Sequence, residues 1–432
     1  GGLAGLAAAL ECAEAGTRVT LLEARPRLGG ATFSIKRDGL SMDNGQHVFL
    51  RCCTAYRNFL ARLGVEDDVV LQGRLDVPVL APGGRHGRLR RTDLRPPLHL
   101  ARALARYPFL GLGDKLRLLP AIRALGRLDL EDPALDEQTF GAWLAEHGQS
   151  PRASEGLWDL ITLPTVNLPA RDASLALAAK VFQTGLLDEA GAGDIGYARV
   201  PLGRLHGDAA TRRLEALGAR IETKARVTAL EEGPAVIADG ERLDADAVVL
   251  AVPHDDAAGL LPDGAPLTGL GVSPILNLHV VYHRRVTDLP LAAGVGTPVQ
   301  WVFDRTDSGG LERGQYLAVS LSAADEWAGS SIEELRAVFE PALAALFPAA
   351  REARVERFFV TREQRATFRG VPGTARLRPG PRSSLAGVYL AGAWTDTGWP
   401  ATMEGAVRSG VTAAREALAA SGGRAVLHGA AA

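Results

Sequence analysis

A chain of 432 residues is too long for one hydrophobic core and long enough for two intertwined lobes. Hydrophobic residues at 47% and charged residues at 23% are ordinary globular values, and a formal net charge of −2 gives a nucleic-acid partner no global support. The odd set Cys12, Cys52 and Cys53 is a poor disulfide framework and points to a reducing compartment, and no CxxC pair or His/Cys cluster has metal-ligand spacing. No run reads as a signal peptide or as a bilayer span.

The chain opens Gly1-Gly2-Leu3-Ala4-Gly5-Leu6, followed by an apolar, small-residue helix to about Ala15. Gly16-Thr17-Arg18 then turns into Val19-Thr20-Leu21-Leu22-Glu23, a short apolar strand ending in an acid. Glycines, helix, strand and terminal acid in this order form the later part of a βαβ dinucleotide fingerprint. Glycines admit a pyrophosphate to the backbone, and the helix N-terminus offers free N–H groups and a positive dipole end. Gly2 and Gly5 match the second and third fingerprint glycines, and Glu23 is placed to accept from the adenosine ribose hydroxyls. The first glycine and the first strand would precede residue 1. The expectation is therefore a native chain with about five to ten more residues upstream, the length of an ordinary strand.

Glu23-Ala24-Arg25-Pro26-Arg27-Leu28-Gly29-Gly30 follows directly. It resembles the E-x-R-x-x-x-G-G segment of the amine-oxidase and carotenoid-desaturase class of FAD enzymes. That likeness implies that Arg25, Gly29 and Gly30 lie along the FAD phosphates and ribityl chain, with Arg27 as a second charge partner. Where that class commonly has an arginine after the glycines, this chain has Ala31.

Further along, 218–230 reads as strand, turn, strand, and Ala247 to Pro253 as a buried strand stopped by proline. The class likeness implies a backbone contact from Val227 to the adenine. Near the far end, Gly387 to Gly392 is a buried-type strand ending in glycine. Trp394 to Gly410 continues it, with Thr402 as the N-cap of a small-residue helix starting at Met403. The likeness places Gly392, Thr402 and Met403 over the ribityl chain and the pyrimidine edge of the flavin. Ala393 stands where the class often has an acid.

The expected fold is α/β: a Rossmann-type FAD-binding domain, its first strand missing, with an inserted α+β substrate domain. The FAD part is expected at 1–85, 200–265 and 385–425, the substrate part at 86–199 and 266–384, and a tail at 426–432. Linkers are expected at Pro82-Gly83-Gly84, Leu261 to Gly264 and Arg378 to Pro381.

Three strings narrow the class: Ser41 to Tyr56 with its Gly45-Gln46-His47-Val48-Phe49-Leu50 core, Asn167 to Ala179, and Asp194 to Ala209. With Trp394 to Gly410 they resemble the squalene-associated FAD-dependent desaturase family, the hydroxysqualene dehydroxylases. The resemblance implies non-covalent FAD, a triterpene substrate, and reduction of hydroxysqualene to squalene with loss of water in hopanoid biosynthesis. Two alternatives stay open: a desaturase or isomerase of carotenoid-like polyenes, and a non-catalytic flavin-bearing scaffold that channels lipid. The chemistry calls for a general acid near the leaving oxygen. Asp43, His47, Asp194 and His206 are candidates, with His47 and Asp194 foremost and Gln46 as a flavin contact. The alternative for His47 is a hydrogen-bonded structural histidine, and for Asp194 a turn or N-cap acid. Trp394 and Trp399 either wall the flavin pocket or pack in a core, and the cysteines read as packed thiols.

Leu94 to Leu128 interleaves leucines with arginines and has few acids. An apolar face edged with Arg is the composition of an interfacial helix pair. The expected setting is cytoplasmic, peripheral on the inner face of the plasma membrane or beside neighbouring squalene-synthesis enzymes.

Overall fold

The computed structural model describes residues 1–231 and 233–420, so the expected tail at 426–432 lies outside the described residues. The opening glycines lead into a helix at Leu3–Glu14, whose face of Leu6, Ala7 and Leu10 is wholly buried. Small side chains let it lie close against the long Met403–Ala420 helix. Gly16 ends it with φ +80, and the Thr20–Glu23 strand follows. That strand pairs in parallel with Arg220–Thr223, Thr20 opposite Arg220 and Glu23 opposite Thr223. A second parallel pair joins Val248–Leu250 to Val388–Leu390. A three-stranded antiparallel meander spans Val227–Glu231, Ala235–Ala238 and Glu241–Asp244. Parallel strands, covering helices and contributions from both ends of the chain make this the dinucleotide-binding part of an α/β fold.

The other lobe is α+β. Its seven-stranded sheet runs, from edge to edge, Val355–Thr367, Ser273–Tyr282, Gln315–Leu321, Trp301–Asp304, Leu291–Gly294, Asp76–Leu80 and His86–Arg90. Leu278, Val280 and Leu317 of this sheet pack against Leu335, Phe339 and Leu343 of the Ile332–Leu346 helix. A helical layer from Ala101 to Leu187 closes a second core around Phe140, Trp143, Trp158 and Phe182. A small antiparallel sheet holds Ile195–Ala198 between Val48–Leu50 and Val69–Leu71.

Two expected boundaries move: Ile195–Ala198, placed with the substrate part, pairs with Val48–Leu50 and Val69–Leu71 of the FAD part. Asp76–Leu80, placed with the FAD part by the boundary at 85, pairs instead with Leu291–Gly294 in the seven-stranded sheet. Pro82-Gly83-Gly84, expected as a linker, is the turn of a hairpin that sets Asp76 opposite Arg90 and Leu80 opposite His86. Gly83 and Gly84 take φ +78 and +79, and this left-handed backbone suits a tight reversal as well as a linker. Among the described residues no helix is long and apolar enough to cross a membrane.

Candidate functional site

A cavity of about 2660 Å³ lies between the lobes and passes between the two parallel strand pairs. Ligand cavities commonly occupy about 300–1,000 Å³, and this volume also takes in the gap between the Thr20–Glu23 and Val248–Leu250 strands. Gly2, Gly5, Glu23, Arg25, Gly29, Gly30, Gln46, His47, Val227, Gly392, Thr402 and Met403 all line it. Residues from both ends of the chain and from its middle therefore share one wall. Asp194 does not reach it.

The Leu3–Glu14 helix sets its first turn on the cavity wall. Its N-cap, Gly2, supplies no side-chain cap, and no acid sits in the first turn. The free N–H groups and the positive end of the helix therefore face the space. Gly29 donates to the Gly1 carbonyl at 2.8 Å, drawing the Arg25–Gly30 turn onto the helix start. Gly30 has φ +56, and a Cβ there would lie 2.6 Å from the Gly2 Cα. Glu23, at the end of its strand, accepts from the Arg25 N–H at 2.7 Å and faces the cavity. Arg25 is exposed on the wall. Arg27, the second expected phosphate arginine, is not there: its guanidinium lies 3.6 Å from the Phe33 ring centre. Cation–π attraction is short-ranged and holds it over that ring, which itself lines the cavity.

The opposite rim is the loop after Val388–Leu390. Gly392 has φ +153, and a Cβ there would collide with the Trp394 indole nitrogen, which donates to the Val252 carbonyl at 2.9 Å. Trp394 is thus a buried wall residue, fixed at its polar end. Thr402 accepts from the Gly405 N–H at 3.2 Å, the N-cap geometry expected from its position before Met403. Trp399 lies on the cavity wall between the Lys180 ammonium and the Arg408 guanidinium, each a little over 5 Å from its ring.

The expected occupant is FAD, and the residues present fit it on three counts. The bare helix end meets a backbone-lined turn that leaves no space for side chains, as a pyrophosphate requires. Gln46 lines the cavity wall, and among the described residues its buried Nε2 has no hydrogen-bond partner. Gly392 presents backbone where a flavin edge would lie.

His47 sits where the cofactor end meets an apolar end walled by Leu157, Leu160, Ile161, Leu186 and Trp301. It shares a small space with Phe303 and Val48. Its Nδ1 is 3.2 Å from the Gly45 carbonyl, so Nδ1 carries the proton and Nε2 is free to face the cavity. Burial pushes the imidazole below its ordinary value. The Gly45 carbonyl and Asp43 oppose that shift, and Arg305 adds to it.

The other acid candidates are structural. Asp194 is fully buried and accepts from Arg91 Nε at 2.6 Å, Leu75 N–H at 2.6 Å and Arg51 Nε at 3.0 Å. Burial alone would raise its pKa, but the bonds from Arg91, Leu75 and Arg51 together hold it below the usual carboxylate value. An ionised carboxylate with its lone pairs engaged has no proton to give, so the expected catalytic role is replaced by an ion-pair role. Asp43 is similarly engaged by Arg305 at 2.8 Å, Ser34 at 2.6 Å and the Leu202 N–H at 2.9 Å. His206 is buried 2.7 Å from the Tyr56 hydroxyl, off the cavity, and burial pushes it down to about 3.

Three residues that shape the site carried no local sequence signal. Arg305 clamps Asp43 and the Ala198 carbonyl behind the His47 turn. Arg378, buried, donates to the carbonyls of Thr395 at 2.6 Å and Trp399 at 2.8 Å, holding the flavin-side loop. Glu404 accepts from the Ala55 and Tyr56 N–H groups and so caps a helix almost the whole chain away.

Comparison with known proteins agrees with this geometry. The family model described as flavin containing amine oxidoreductase matches residues 3–418. A hydroxysqualene dehydroxylase from Rhodopseudomonas palustris is 31% identical over 434 residues, covering 97% of each chain. Another from Sinorhizobium fredii is 28% identical, covering 96% of each. A 15-cis-phytoene desaturase from Narcissus pseudonarcissus is 27% identical, over 95% of this chain and 76% of that protein. Among solved structures, cyclohexylamine oxidase from Brevibacterium oxydans superposes with a TM-score of 0.71 at 21% identity over 96% of both chains, a likeness of fold. The cofactor is FAD. A glycine-lined cradle for it, assembled from both ends of one chain and opening on an apolar chamber, places this chain in the hydroxysqualene dehydroxylase family of the flavin-containing amine oxidoreductases.

Proposed function

We propose that the protein reduces hydroxysqualene to squalene: the hydroxyl leaves as water and a hydride takes its place on carbon. The observation that carries this reading is the apolar chamber continuous with the FAD cradle, with His47 where the two meet. Reduced FAD, when bound, supplies the hydride. In its doubly protonated form His47 presents Nε2–H toward the leaving oxygen and delivers that proton, while the Nδ1–H bond to Gly45 keeps the ring in place. The leucine, isoleucine and tryptophan walls exclude water that would recapture an allylic cation.

Anaerobic incubation of reduced holoprotein with hydroxysqualene should yield squalene. Phytoene desaturation by the oxidised holoprotein instead would assign it to polyene oxidation, and turnover of neither would leave a carrier role. Because His47 is held below 6.5, its acid form grows as the pH is lowered. The chemical rate should therefore rise from pH 8 toward pH 6. In His47→Gln it should fall by about 10²–10⁴-fold and lose that slope, with FAD content unchanged.

Glu23 is proposed as the ribose ligand. Glu23→Ala should weaken FAD binding by about 1.5–3 kcal/mol, through loss of a charged acceptor. Titration of apoprotein reads this directly, and unchanged affinity removes Glu23 from the role. Acid precipitation should release the flavin into the supernatant, as non-covalent binding requires.

A further inference from the structure

Leu94, Leu98, Leu112, Leu116 and Leu119 stand in solvent, Leu112 and Leu116 at 77% and 71% exposure. Leu112, Leu116 and Leu119 occupy positions i, i+4 and i+7 of the Leu112–Leu125 helix, one narrow stripe. The opposite face buries Leu118, Ala121 and Leu125. The helix is therefore apolar on two sides, and the protein interior uses one.

The charge around the outer stripe has one sign. From 94 to 127 the chain carries seven basic residues and a single acid, Asp114. Asp114 is buried, accepting from the Gly111 N–H and the Ser150 hydroxyl. Arg95, Arg102, Arg106 and Arg123 are exposed, and among the described residues none of them forms an ion pair. Exposed leucines ringed by uncompensated guanidinium groups complement an anionic lipid surface, with leucines at the acyl boundary and arginines at phosphate depth. Between residues 94 and 127 no acid is exposed, so a second copy meeting this stretch with its own would bring like charges together.

The same segment walls the cavity. Leu98 is exposed, while Leu100 lines the chamber. In the Ala101–Arg106 helix, Leu104 lines the chamber and Arg102 and Arg106 face solvent. One helix thickness, about 10 Å, separates the outer face from the apolar space.

We propose that this face docks on an anionic bilayer, with the Leu98–Arg106 segment as the wall between bilayer and chamber. Docking rests on the charge and apolar pattern alone; use of the wall as an entry route rests on the triterpene reading. The test is flotation of FAD-loaded protein with phosphatidylcholine vesicles, with and without phosphatidylglycerol. Wild type should float with the anionic vesicles, and less so at high salt. Leu112→Ser with Leu116→Ser should weaken vesicle affinity about a hundredfold while flavin absorbance and thermal midpoint stay unchanged. Arg102→Ser with Arg106→Ser should lose the phosphatidylglycerol-dependent part. No flotation of wild type overturns the proposal, as does flotation unaffected by the leucine changes. A wild-type dimer that the leucine changes split, without vesicle binding, overturns it in favour of a second copy. Turnover of detergent-solubilised hydroxysqualene is read in parallel: its absence would sink the reaction and leave the docking result standing.

Discussion

Replacing Asp194 with alanine lowers folding stability by about 3 kcal/mol, the cost of leaving the largely buried Arg91 without its main counter-charge. Arg91, only 11% exposed, would keep Asp93 as its other carboxylate, and that side chain is 74% exposed. The Leu75 N–H would lose its acceptor in a buried setting. The midpoint of chemical or thermal denaturation measures the effect. Asp194→Asn keeps an acceptor for Leu75 and removes the charge, so it should be destabilised yet turn over normally per folded, flavin-loaded molecule. Lost turnover at unchanged stability would return Asp194 to the catalytic list. The sign of the pH dependence follows from its lowered pKa. The stability from this carboxylate is fully present above the ordinary value of 3.8 and is lost as the pH falls through the lower folded value.

Gly30→Ala should weaken FAD binding by about 30- to 150-fold, equivalent to roughly 2–3 kcal/mol. The backbone at Gly30 is left-handed, and the added methyl would fall 2.6 Å from the Gly2 Cα. Neither side can yield easily, because both atoms belong to backbone: the turn and the helix start must part, and they are the two sides of the cradle. Gly39→Ala is the control. It has φ +78 with no atom within 4 Å of the added Cβ, and it is off the cavity wall. It should carry similar strain and leave FAD affinity unchanged. Equal losses in both variants would show that strain alone matters and that the close approach at Gly30 does not.

Local chemistry was readable from the residues themselves. Gly2, Gly5, Glu23, Gly29 and Gly30 mark a dinucleotide cradle because a helix start, a tight turn and a strand end are decided within a few residues. Thr402 before Met403 is a cap for the same reason. The order of these segments already required one site built from both ends of the chain. What the sequence could not show was which charges find partners. Asp194 and Arg91 are 103 residues apart and Asp43 and Arg305 are 262 apart, and each pair forms only because the sheets bring them together. An acid that reads as catalytic in one dimension becomes a clamp in three, and His47 is held at Nδ1 by the carbonyl of its own turn, Gly45. The same holds for apolar residues. Leu110 and Leu112 are alike in composition and neighbourhood, yet one is 5% exposed and the other 77%. Periodicity sets which residues share a helix face, but only packing against the rest of the chain decides which face is turned inward.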